Sequence, residues 1–135
     1  MWRRFKNIAV SLHSYSALSP DLQMRQRVNQ QLRDRPALEV DEWCKSFHPA
    51  SETTHAIAAF AYETLAQYSG LDFSRVRPED RLEADLFWSQ VCWFDWDLQL
   101  CDDFCEQFDQ DLSDRFYDFD PVTVADLIHF FDHPA

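Results

Sequence analysis

The sequence predicts an all-α protein, a small helical bundle with an N-terminal helical extension. Three observations carry this. Apolar residues recur every three or four positions along 51–70, 90–108 and 121–131, the period of helices that bury one face. Helix-boundary residues punctuate those runs: Ser51 and Gly70 bracket the first, and Asp120-Pro121 opens the last. The 135 residues are 46% apolar and 16% aromatic, enough to fill one compact core.

The first 36 residues read as a basic extension. Trp2, Phe5, Ile8, Ala9, Leu12 and Tyr15 share one side of a helical wheel, with Arg3 and Lys6 off it. Trp2, Arg3, Arg4 and Phe5 are the candidate contacts of this leader with its own domain, a partner or, less favoured, a membrane surface. Its lack of acids and its Ser and Arg content also match organellar transit segments. "PDLQMRQRVNQQLRDRP" follows, a polar helix with few apolar positions that looks solvated, linker-like or partner-dependent. The domain boundary is placed near Pro36, with an acidic helical domain over 37–135.

Within that domain, "LEVDEWCKSF" forms a short helix turning Leu38, Trp43 and Phe47 inward. "SETTHAIAAFAYETLAQYSG" is the clearest helix, with Ile57, Phe60, Ala61, Leu65 and Tyr68 on one face. "LDFSRVRPEDRLEADL" contains Pro78 and lacks helical periodicity in its first half, so it is a loop. One helix is expected over roughly 90–108, its seam being Val91, Phe94, Leu98, Cys101, Cys105 and Phe108, widened by Trp93, Trp96, Leu100 and Phe104. "SDRFYDF" is a turn or a single helical turn. The last helix takes Asp120 as N-cap and Pro121 as its first residue and buries Val124, Leu127, Ile128 and Phe131.

Charge narrows the function. Of 12 basic and 24 acidic side chains, residues 1–35 hold seven and two, leaving five and 22 in the rest. Such a body repels nucleic acid and attracts basic surfaces. The single glycine, Gly70, leaves no Walker loop or dinucleotide fingerprint. Four cysteines without a CxxC pair, no secretory segment and no long apolar run indicate a reduced, soluble, cytoplasmic protein.

Three stretches in series resemble acyl carrier proteins. "YSGLDFSRVRPEDRLEADL" is similar to the end of their first helix and long loop, "FCEQFDQDLSD" to the end of their second helix, and "TVADLIHFF" to the start of their last. The resemblance covers about 75 residues, Ala58 to Phe131, and implies an acyl-carrier-like helical bundle with an acidic recognition helix. Carriers need a serine at the start of the second helix to hold phosphopantetheine. That slot falls on Phe94 or near Gln90, depending on which end is aligned, and Ser89 misses it by one place. The second-helix region is also about four residues longer, one helical turn. The nearest group is therefore the uncharacterised bacterial acyl-carrier-like families that lack the serine.

The candidate partner-binding residues are Asp95, Asp97, Asp102, Asp103 and Glu106, with Trp88 and Trp96 as aromatic anchors ringed by charge. Three large aromatics in nine positions exceed what one helix face buries, so Trp88 or Trp96 is expected at the surface, with Trp93 and Phe94 inside. Cys44/His48, Cys101/Cys105 and His129/His133 have i,i+4 metal-ligand spacing, but no closed four-ligand set is visible and no metal is assigned. "DQDLSDRFYDFD" fails as a calcium loop because Asp114 stands where the sharp turn needs Gly. Ser89 or Cys92 with His55 or His129 would be a nucleophile and base, yet nothing aligns them, and no enzyme is predicted. The reading is a non-catalytic interaction module, an adaptor or assembly factor, binding a protein with a basic patch. The alternatives are a carrier with phosphopantetheine on Ser89 and an acidic inhibitor or immunity-type protein that occludes the basic site of a nuclease.

Overall fold

The computed structural model describes residues 19–49, 51–112 and 115–132. These form α1 (Leu22–Leu32), α2 (Val40–Lys45), α3 (Glu52–Ser69), α4 (Trp88–Val91), α5 (Trp96–Phe108) and α6 (Val124–Asp132), with 3₁₀ turns at Phe73–Arg75 and Phe116–Asp118. Among the described residues there is no strand, only an isolated antiparallel bridge between Arg81 and Thr123. The all-α class follows.

The central helix is α3, packed on α2 and α6. Its ends are those the sequence marks. Ser51 accepts the Thr54 N–H at 3.2 Å, and Gly70 closes the helix in the left-handed region at φ 69°. Glycine serves twice there, because a Cβ would sit 3.0 Å from the Arg25 side chain. Ile57, Ala58, Phe60, Ala61 and Leu65 are buried along one face of α3. The short α2 adds Trp43, fully buried, whose indole Nε1–H donates to the Val76 carbonyl at 2.9 Å.

The segment read as solvated or linker-like is docked. Val28 and Leu32, four positions apart on α1, join the same core as the residues beyond Pro36. Polar side chains complete the attachment: Arg25 donates to the carbonyls of Val91 (2.9 Å) and Tyr68 (3.0 Å), and Asn29 donates to that of Gly70 and accepts the Asp72 N–H. Tyr68 and Gly70 lie at the end of α3, where carbonyls lack intrahelical donors, so α1 supplies what the helix end needs. Few apolar positions suffice when long polar side chains do this work.

The stretch 71–87 carries buried anchors, Leu71, Phe73, Val76, Leu82 and Leu86. Asp80, 5% exposed, holds it together. Its carboxylate accepts both Arg35 guanidinium nitrogens (2.6 and 2.9 Å) and the Arg77 N–H (2.8 Å), while its carbonyl accepts the Val124 N–H (3.0 Å).

Two helix boundaries differ from the sequence expectation. The single helix over 90–108 is two, α4 and α5, separated by Cys92 in extended backbone. Trp88, Val91 and Cys92 are all buried, so this part of the chain follows the core rather than one helical stripe. The break brings Trp88 edge-on to Trp96, with ring centroids 5.6 Å apart and an interplanar angle of 89°. The last helix starts at Val124, after the predicted Asp120-Pro121. Thr123 caps it: its hydroxyl accepts the Asp126 N–H at 3.1 Å, and the Asp126 carboxylate accepts the N–H groups of Thr123 and Val122. This reciprocal arrangement is a capping box with Asp in place of Glu.

Candidate functional site

The buried stripe of α5 is Asp97, Leu100 and Phe104; Leu100 and Phe104 belong to the face the sequence marks, whereas the expected seam residues Leu98, Cys101, Cys105 and Phe108 are half-buried and Asp97 takes the core position. Phe104 stacks on Phe108 and meets Phe131 of α6 and Phe60 of α3. That placement sorts the predicted site residues.

Asp102 and Glu106, one turn apart, are exposed on α5. Asp103 is half-buried, and the Tyr68 hydroxyl on α3 donates to its carboxylate. Burial, reinforced by that bond and the neighbouring carboxylates, pushes the Tyr68 phenol well above its usual range, so the phenol stays a donor. Asp103 and Glu106 also line an open groove between α3 and α5, with Phe60, Thr64, Gln67 and Gln107. Among the described residues, no ion pair engages Asp102, Asp103 or Glu106. The result is an acidic edge on α5, with Asp103 held by Tyr68.

Other predicted residues lie elsewhere. Trp88 is fully buried and Trp96 half-buried, so neither is the protruding anchor expected. Trp93, expected inside, is 40% exposed, and Phe94 is half-buried. Asp97 is 4% exposed and accepts the Leu98 N–H, a position on the core stripe that removes it from the exposed acidic set. Asp95 is half-buried at the start of α5. Trp2, Arg3, Arg4 and Phe5 lie outside the described residues.

Ser89, exposed in the first turn of α4, donates its hydroxyl to Glu83 at 2.7 Å, and its N–H goes to the same carboxylate at 2.8 Å. The partner of His55 is Asp41, at 3.0 Å, rather than a nucleophile. Burial raises the Cys44 and Cys92 thiols, which disfavours thiolate chemistry. Cys101 is pushed up to about 12 by burial and by Cys105 beside it. Among the described residues no group of three or more His, Cys, Asp or Glu side chains could hold a metal ion, and no helix is long and apolar enough to cross a membrane.

Sequence reasoning missed Tyr68 as a site residue. Its place on the apolar face of the α3 pattern hid a hydroxyl that reaches a helix 35 positions away. Comparison with protein families, with curated proteins and with solved structures finds no match.

Proposed function

We propose that the protein is a non-catalytic protein–protein interaction module, an adaptor or assembly factor of the cytoplasm, built on an acyl-carrier-like bundle. Its α5 edge binds a basic patch on a partner protein. One observation carries the reading: Asp102 and Glu106 are exposed one turn apart beside Asp103, whose carboxylate Tyr68 holds, and none of the three is in an ion pair among the described residues. Exposed carboxylates steer and orient a cationic surface more than they add affinity. The binding should therefore weaken steeply with salt.

The test is affinity purification of the full chain from its native cell, repeated with the Asp102→Lys/Glu106→Lys variant. The variant should keep its helical circular dichroism and lose the salt-sensitive partner. An unchanged partner set would sink the proposal. A basic nuclease as the captured protein would select the inhibitor or immunity-type form of this reading.

The carrier reading has one observation in its favour, the exposed hydroxyl of Ser89 in the first turn of α4. Against it, the Glu83 carboxylate occupies that hydroxyl and the adjacent N–H, where a phosphodiester would have to sit. Intact mass after incubation with a phosphopantetheinyl transferase decides it. A mass gain that disappears in Ser89→Ala would replace the adaptor reading with a carrier.

A further inference from the structure

The fold divides the four cysteines into two kinds. Cys44 on α2 and Cys92 at the end of α4 are buried in the core. Cys101 and Cys105 are both half-buried and stand one turn apart on α5, so they share a face and each reaches solvent.

The helix fixes their spacing. Leu100 and Phe104, each next in sequence to one of the two, are fully buried and anchor this part of α5 in the core. Side chains on a helix lean toward its N-terminus, so Cys105 lies along the surface toward Cys101. The thiols are close enough that Cys105 adds to burial in keeping Cys101 protonated. A protonated thiol is a poor nucleophile, which leaves coordination as the chemistry of the pair.

Magnitudes decide what such a pair can form. A disulfide brings its Cβ atoms to about 3.5–4.5 Å, whereas Cβ atoms one helical turn apart are about 5–6 Å from each other. Closing that bond would distort the turn. An ion held between two sulfurs by bonds of about 2.3 Å separates them by about 4.6 Å and leaves the helix intact. The ion must also accept two ligands, because among the described residues no group of three His, Cys, Asp or Glu side chains could hold a metal. Zinc asks for four ligands, and hard cations ask for oxygen. Soft thiolates select Cu(I), which accepts two in a line.

We propose that Cys101 and Cys105 form a two-coordinate binding site for Cu(I). Each thiol gives its proton to solvent as its S–Cu bond forms, the copper stays Cu(I), and neither sulfur is oxidised. The product is a bis-thiolate bridge across one turn of α5. The inference does not rest on the acidic edge at Asp102 and Glu106, and either can fail without the other.

The test is an anaerobic titration of the reduced full chain with Cu(I), supplied as its acetonitrile complex, against a chromogenic Cu(I) chelator and with glutathione in excess. One equivalent per chain should be retained, with the helical circular dichroism unchanged. Cys101→Ser and Cys105→Ser should each weaken binding at least about a hundredfold, whereas Cys44→Ala/Cys92→Ala should keep it. Alkylation with iodoacetamide, read by mass spectrometry, asks the same question without a variant: Cu(I) should protect Cys101 and Cys105. Zn(II) should not displace the copper. Asp102→Lys/Glu106→Lys should still retain one equivalent, which separates this site from the partner surface. Loss of the copper to glutathione, full binding in either serine variant, one ion shared between two chains, or loss of helix on loading would overturn the proposal.

Discussion

Tyr68 of α3 donates its hydroxyl to the carboxylate of Asp103 on α5, tying the central helix to the acidic one at a half-buried point. Tyr68→Phe removes that bond and leaves the ring in place, so it should cost about 1 kcal/mol in urea unfolding. The phenol is held protonated, so its contribution is complete below the unfolded value of about 10 and declines as pH rises toward the higher folded value. Alkaline absorbance titration of the folded protein should therefore show the same change near pH 10 with or without Tyr68. A smaller change in Tyr68→Phe would mean that the phenol is solvated and Asp103 free.

Arg35 and Asp80 form a two-pronged ion pair, with the carboxylate 6% exposed and the guanidinium 37%. Removing the arginine leaves a buried carboxylate that, among the described residues, retains only the Arg77 N–H, and removing the carboxylate strands a cation with access to water. Asp80→Ala should cost about 3 kcal/mol, toward the low end for a broken buried pair, because Arg35 is partly solvated. The double variant Arg35→Gln/Asp80→Ala should cost less than the sum of the singles. Additive losses in denaturant unfolding would show that the two side chains act independently.

What the sequence revealed was mainly what is local. The bounds of α3 were readable because Ser51 and Gly70 act within a turn of themselves. The docking of α1 was hidden because its attachments run from Arg25 to a carbonyl 43 positions away and from Asn29 to a carbonyl 41 away. Polar side chains reaching so far leave no periodic trace. The break between α4 and α5 was hidden for a related reason: aromatic residues read equally well as one helical stripe until Trp88 enters the core. Of the acidic set, Asp102 and Glu106 stay outside, whereas Asp97 takes a core position on the stripe of Leu100 and Phe104.

The α6 cap gives acid stability a named source. The Thr123 backbone N–H, with that of Val122, holds the Asp126 carboxyl below the usual carboxylate range. A carboxyl lowered in the folded state stabilises above its unfolded value of about 3.9, and that contribution is lost as pH falls through the lower folded value. Asp126→Asn should lower stability at neutral pH and flatten its fall below pH about 4. Thr123→Ala removes the other half of the box and should cost about 1 kcal/mol at neutral pH. Parallel acid-unfolding curves for wild type and Asp126→Asn would place the acid sensitivity elsewhere.

Leu32 decides whether α1 is part of the folding unit. It is 3% exposed in the common core, and Val28 lies one turn before it. If α1 folds with the rest, Leu32→Ala should cost about 2–3 kcal/mol, within the range for a buried leucine, and shift a single cooperative transition. If α1 were an appendage, the main transition would stay in place and only early fraying would change. The Arg25 bonds to Tyr68 and Val91 argue for the first outcome, because they couple α1 to the end of α3 and to α4. Arg25→Met keeps most of the side-chain bulk beside Gly70 but leaves those carbonyls without their donor. It should therefore destabilise the same transition by about 1–2 kcal/mol.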